Sequence, residues 1–214
     1  MSKLILLFLI TICSSVLSQS ESKSKYKLGC KLGIVNVNMT GGRVKSPSKI
    51  ALIGGIWFQI KISKNWTAQA EAIYVEKGTR GIGKNRTWDN GYRVAIMYLE
   101  VPVLFQYHKK NVTFEFGPGL GALTYQYEFW PGAPAPNMTR SYPFTAKEFS
   151  FNLGLGYQFN EKWYSGLRFT HSLLPVRDQV PAISKQVYNR VFALTVSRRI
   201  GFKKPNNKET QQEE

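Results

Sequence analysis

Beyond its first dozen residues, this sequence lacks any apolar run long enough for a membrane-spanning helix. The longest, residues 51–58, is interrupted by Gly54 and Gly55 and falls far short of the roughly 20 residues such a helix needs. Cysteine is almost absent. Cys13 and Cys30 cannot make a disulfide framework, and removal of an N-terminal leader would leave Cys30 alone, excluding an internal disulfide in the mature chain. Ile12, just before Cys13, is bulkier than a lipoprotein processing site accepts. The two histidines, His108 and His171, have no clustered Cys, His or acidic companions, so no metal, no cofactor and no Ser-His-Asp constellation is expected. Acidic residues are scarce, 13 against 29 Lys and Arg, giving a net charge of +16. Such an excess raises nucleic acid or an acidic membrane surface as partners. No recognition helix, zinc spacing or regular basic–aromatic stripe is present, so nucleic acid is not expected.

What is present begins with an export leader. Lys3 precedes a short apolar core, residues 4–12, and small or polar residues follow, with Val16 and Ser18 suited to cleavage before Gln19. The expected division is a signal peptide over 1–18, a polar periplasmic leader over 19–25, a barrel over 26–202 and a disordered polar tail over 203–214.

The barrel is read from a period of two. In residues 148–159, Phe149, Phe151, Leu153, Leu155, Tyr157 and Phe159 alternate with Ser150, Asn152, Gly154, Gly156 and Gln158. After a polar turn (Asn160, Glu161, Lys162) the alternation resumes with Trp163, Ser165, Leu167 and Phe169. One face carries large aromatic and aliphatic groups, while the other carries residues small enough for a crowded lumen, as in strands that face lipid. Similar alternation appears over residues 26–37, 50–62, 66–75, 95–107, 112–125 and 187–202. Pro102 is awkward for a closed ladder and predicts a bulge, and Pro118 predicts an interruption. The connections run long, short, long, short, long, short, long. The expectation is an all-β, eight-stranded antiparallel up-and-down transmembrane β-barrel, with short periplasmic turns and long extracellular loops, in the outer membrane of a Gram-negative bacterium. Trp66, Tyr107 and Trp163, beside the short turns, would form an aromatic girdle.

Such a lumen holds little more than side chains. The inward charges are Glu71, Glu100 and Glu115 on strands three to five, and Lys31, Lys61, Arg168 and Arg199 on strands one, two, seven and eight. Sheet closure would bring acids opposite bases, giving an ion-paired plug in preference to a gated ion path. Inward Gly, Gln, Glu and Arg argue against a soluble carrier with an apolar lumen. The first two long loops are basic, with Arg43, Lys45, Lys49, Arg80, Lys84 and Arg86, and Lys77 and Arg93 at their edges. They could meet the phosphates and acidic sugars of lipopolysaccharide, or be only a solvated rim. Five Asn-x-Thr triplets begin at Asn38, Asn65, Asn85, Asn111 and Asn137; two of them open tight turns, where Asn suits the turn and Thr the strand. A lipid A-modifying enzyme is the least favoured reading: His171 and Ser172 are adjacent and so point to opposite faces.

Tyr98-Leu99-Glu100-Val101-Pro102-Val103-Leu104, Gly117-Pro118-Gly119 and the Gly154-x-Gly156-Tyr157 strand are together similar to the PorT-like outer-membrane β-barrel proteins of Bacteroidetes. The resemblance implies a small barrel, in some relatives linked to a protein-secretion apparatus, and carries over no catalytic or ligand residue. The function expected is that of a non-enzymatic membrane scaffold or surface-interaction protein, or an accessory of a secretion machine with a membrane partner.

Overall fold

In the computed structural model the structure describes residues 25–42, 48–80, 93–129, 143–178 and 184–200. The expected signal peptide, most of the leader and the tail lie outside these residues. Eight strands follow one another: β1 (Tyr26–Gly42), β2 (Lys49–Lys61), β3 (Trp66–Arg80), β4 (Arg93–Lys109), β5 (Val112–Phe129), β6 (Lys147–Gln158), β7 (Trp163–Ser172) and β8 (Ser184–Ile200). Each pairs antiparallel with the next, and β8 closes on β1 from Leu28↔Ile200 to Gly42↔Ser184. Closure leaves no unpaired sheet edge, the condition a strand protein must meet in hydrocarbon.

Side-chain alternation carries through every strand. Leu153, Leu155, Leu167, Phe192 and Leu194 project outward and are about half exposed, whereas Asn152, Arg168, Thr195 and Ser197 are buried inside. The lumen tolerates close approach because glycines line it. A Cβ on Gly154 would stand 2.6 Å from a Glu115 carboxylate oxygen, and one on Gly29 would meet the inward Trp57 ring at 2.2 Å. Trp57 sits inside as the exception to the small-residue pattern, its indole N–H donating to the Cys30 carbonyl at 3.2 Å.

Two expectations need correction. β4 keeps one register through Pro102, from Tyr98↔Leu123 to Lys109↔Val112; the bulge lies instead between Met97 and Tyr98. Proline removes one N–H without requiring an extra residue, whereas Thr124 is the extra residue opposite that step. The bulge reverses facing beyond it, so Tyr125 and Tyr127 pair with the outward Met97 and Ala95 while Glu128 is buried. Pro118 does not interrupt β5, and it pairs with Phe151. Cys30 is disulfide-bonded to a partner outside the described residues, whereas the expectation above concerns the mature chain, in which Cys30 would stand alone.

β1, β3, β4 and β8 all extend further toward the long connections than their alternation suggested, and there the polarity of the wall changes. Inside, Val35, Val37, Ile53, Ile73, Val75, Val94, Ile96 and Val191 form one apolar cluster, capped by Phe144 and Val176. Outside, Asn36, Asn38, Glu76, Arg93 and Arg190 enter the sequence of outward positions. Nearer the short turns the wall is apolar outside and polar inside, so each level matches its surroundings.

The short turns are tight. Lys109 pairs with Val112, and Lys110 has φ 56°, the left-handed backbone of a two-residue hairpin turn. A cysteine at Asn111, Asn65 or Asn160 should resist an impermeant thiol reagent on intact cells, while cysteines at Lys45, Arg86, Pro134 or Val180 should react. Labelling at Asn111→Cys without labelling at Arg86→Cys would invert this orientation.

Candidate functional site: a packed lumen and its two mouths

The lumen is crossed by ionic clusters held from different strands. In the first, the Glu71 carboxylate accepts Lys31 Nζ at 2.5 Å and a two-pronged contact from the Arg168 guanidinium at 2.7 and 2.9 Å. Arg168 Nε donates to Glu115 at 2.7 Å. Gln69 donates to Glu71 Oε1, the oxygen shared by Lys31 and Arg168, at 2.6 Å, Gln106 donates to the second oxygen of Glu115 at 3.1 Å, and Gln59 donates to Gln106 at 2.6 Å. Two cations face two carboxylates in a buried, hydrogen-bonded set, the arrangement that offsets the cost of removing charge from water.

A second cluster centres on Lys77, which lies between Glu100 and Glu148, 2.9 Å from the latter. Ser172 Oγ and Asn189 Nδ2 donate to Glu148 at 2.6 and 3.2 Å. Nearer the long connections, Arg177 binds both oxygens of Glu128 at 2.6 and 3.2 Å and lies over the Phe144 ring, 4.0 Å from its centroid.

The sequence-derived network is therefore redistributed. Lys31, Glu71, Glu115 and Arg168 come together, and Glu100 joins the second cluster. Lys61 and Arg199 do not pair with these acids, because Lys61 ends β2 and Arg199 pairs with Gly29, which places both at the short-turn mouth. Lys77 was expected in the basic second loop but is almost fully buried. Continuing the alternation of β3 past Val75 would have placed it inside, and the same step before Ser150 would have placed Glu148 there. Glu128 and Arg177 had no such signal, since a bulge and a loop position them.

At the outer mouth, Lys49 is held by Glu76 at 2.5 Å and is not a bare cation. Arg43, Lys45, Lys84 and Arg86 lie outside the described residues, as does the Arg80 side chain, although the Arg80 backbone pairs with Arg93. At the other end, Trp66 and Trp163 are exposed on the outer face. The Trp66 and Tyr107 rings stand 5.1 Å apart, and Arg198 lies over Trp163 at 5.3 Å. His171 packs outside against Phe169 and Tyr188, with ring centroids 6.3 and 6.2 Å away, while Ser172 is buried in the lumen on Glu148. The two therefore cannot act as base and nucleophile on one substrate. His108 is bracketed by Thr67 and Thr113 at 2.8 and 2.9 Å. Among the described residues no group of three His, Cys, Asp or Glu side chains could hold a metal ion.

On the short-turn side of the Arg168 cluster lies a polar chamber of about 60 Å³, lined by Trp57, Gln106, Tyr164 and Ser197 among others. It adjoins a wider cleft of about 650 Å³ bordered by Lys27, Lys61, Lys64 and Arg199. If the clusters and the apolar layer fill the rest of the lumen, purified protein in planar bilayers should conduct very little. Large, stable channels from the wild-type protein would refute a plug.

A closed wall of eight strands, greasy outside and ion-paired within, defines a small transmembrane β-barrel with a packed interior. The chain belongs to the outer membrane protein beta-barrel domain family, whose model matches residues 4–199. It is an outer-membrane protein of a Gram-negative bacterium. Among solved structures it is similar to Ail, the attachment invasion locus protein of Yersinia pestis, in complex with the heparin analogue sucrose octasulfate, with TM-score 0.48, 9% identity and coverage of 82% of this chain and 99% of that one. It is also similar to the outer membrane protein AlkL in DMPC bilayers, with TM-score 0.48, 14% identity and coverage of 88% and 97%. Outer Membrane Protein W of E. coli gives TM-score 0.42, 13% identity and coverage of 83% and 100%. No curated protein matches the chain.

Proposed function

We propose that the protein acts through its ends rather than through its lumen, as a non-enzymatic scaffold and surface-interaction protein. The observation that carries this reading is the interior itself: buried ion pairs and an apolar cluster occupy the space a solute would need. The outer end is the proposed contact surface. Arg93, Lys147 and Arg190 are exposed there, and Arg43, Lys45, Arg80, Lys84 and Arg86 would add to them in the first two loops. The proposed partner is the anionic phosphate and sugar surface of lipopolysaccharide.

Binding of purified lipopolysaccharide should be measurable at low ionic strength and should weaken as salt screens the exposed charges. Neutralising Arg80, Lys84 and Arg86 together should reduce it. Absence of binding at low salt would remove the lipopolysaccharide contact. The acyl chains of lipid A should be the same by mass spectrometry with and without the protein, and a change abolished by His171→Ala would overturn the non-enzymatic reading.

A second reading is an accessory of an outer-membrane protein-secretion apparatus. It rests on the PorT-like stretch from Tyr98 to Leu104, on Gly117-Pro118-Gly119 and on Gly154-x-Gly156-Tyr157, which lie on β4, β5 and β6. Crosslinking in intact outer membranes followed by affinity capture would recover components of such a machine. We also propose that residues 1–18 are removed on export and that 203–214 form a polar periplasmic tail.

A further inference from the structure

A second set of cations gathers at the periplasmic mouth. The first ionic cluster is neutral within itself, two bases to two acids, and the second has one base to two acids, so neither draws on the cations of the mouth in its ion pairs. Below them, Lys27 on β1, Lys61 on β2 and Arg199 on β8 project inward from three adjacent strands. Lys27 and Lys61 have no ion-pair partner among the described residues; Arg199 and Lys61 repel Lys27, and Glu161 acts in the opposite sense. Lys25, Lys64 and Lys162 border the same space, and Glu161 is the one acid among the residues lining the chamber and cleft. Like charges converging on a partly enclosed cleft repel one another unless an anion sits between them.

An independent observation lies deeper. Ser197 is 3% exposed and lines the chamber, yet its hydroxyl oxygen has no hydrogen-bond partner. Buried hydroxyls without partners are uncommon and costly. Gln69 and Gln106 line the chamber and donate to the carboxylates of the Arg168 cluster, so that cluster lies directly behind it. A single carboxylate would engage few of these donors, whereas a multiply charged oxyanion would engage several at once.

We propose that the periplasmic mouth is a blind anion-binding vestibule for a phosphate or pyrophosphate group, with Lys27, Lys61 and Arg199 around it and Ser197 as a donor at its floor. The group can belong to a free periplasmic phosphate compound or to a phospholipid headgroup of the adjoining leaflet, since the Trp66, Tyr107 and Trp163 girdle sets this mouth at headgroup level.

The test uses the full-length protein in phosphatidylcholine nanodiscs, with inorganic pyrophosphate as probe and calorimetry at low ionic strength without divalent cations. Lys27→Gln/Lys61→Gln should weaken binding by about tenfold or more through loss of two charged donors, and Ser197→Ala should weaken it by a smaller factor. Lys109→Gln/Lys110→Gln, in an exposed turn that does not line the cleft, should leave affinity unchanged. Heat-dependent gel mobility confirms that each variant is folded. No binding to wild-type protein at millimolar pyrophosphate, an unchanged affinity in Lys27→Gln/Lys61→Gln, or equal losses in both double variants would overturn the vestibule. With binding established, nanodiscs containing phosphatidylglycerol separate the sources: a weakened pyrophosphate affinity identifies the lipid headgroup as occupant, and an unchanged one identifies a free phosphate compound.

Discussion

Replacing Arg168 by methionine should lower the stability of the folded barrel by roughly 3–5 kcal/mol, read from the denaturant midpoint in micelles or vesicles. Arg168 touches two carboxylates, and the Glu71 side chain is wholly shielded from solvent. Methionine fills much of the same volume but donates nothing, so Glu71 keeps only Lys31 and Gln69, and Glu115 keeps Gln106. The cost comes from stranding acids rather than from losing an attraction. Adding Glu115→Gln to Arg168→Met should therefore recover part of the loss, because it removes one of the stranded charges. Arg168→Lys should fall between, since an ammonium cannot present the planar fork that binds Glu71 twice while reaching Glu115. A change below about 1 kcal/mol in Arg168→Met would mean that the cluster is already hydrated and contributes no more than a surface pair.

One residue earlier on the same strand the opposite substitution should be almost as damaging. Leu167 points away from the lumen, is 54% exposed, and lies between Leu155 and Leu194 on the neighbouring strands. Placing arginine there should cost about 2–4 kcal/mol, the depth-dependent penalty for a cation on the lipid face of a barrel near midplane. Arginine at Ala95, outward but close to the long-connection rim, should cost about 0–1 kcal/mol by the same dependence. Comparable costs at Leu167 and Ala95 would show that the lipid belt does not lie where the apolar exterior places it. Together these variants separate two solvents one peptide unit apart: a guanidinium is required at 168 and excluded at 167.

Most of this wall was legible because period-two alternation is strictly local. Phe149 to Phe159 needs no distant residue to declare its facing, and the same holds for Trp163 to Thr170. Strand ends were less legible. Beyond Val35, Ile53, Ile73 and Ile96 both faces carry apolar or mixed residues, because the wall has an apolar interior there, and a two-state reading of in and out loses contrast. The same loss hid Lys77, which reads as a loop cation once β3 is ended at Val75. Glu128 was beyond local reasoning, since the extra residue at Thr124 reverses its facing. Ion-pair partners were legible only as a class: sequence places Glu71 and Arg168 inside, but register decides that they meet while Lys61 and Arg199 are left at the mouth.

The ionic clusters also bear on the order in which the barrel can be assembled. Lys31, Glu71, Glu115 and Arg168 come from β1, β3, β5 and β7, and their contacts span 40, 53 and 97 residues of chain. No single hairpin contains a complementary pair from this set. The Lys31–Glu71 and Glu115–Arg168 contacts each reach across one intervening strand and need no seam, whereas Arg168–Glu71 joins β7 to β3 and forms only as the opposite walls come together. The fork that Arg168 extends to Glu71 therefore ties completion of the cluster to closure, and as a contact distant in sequence it carries an entropic cost. Opening the closed barrel must break that same contact, which leaves Glu71 and Arg168 without each other in a buried lumen.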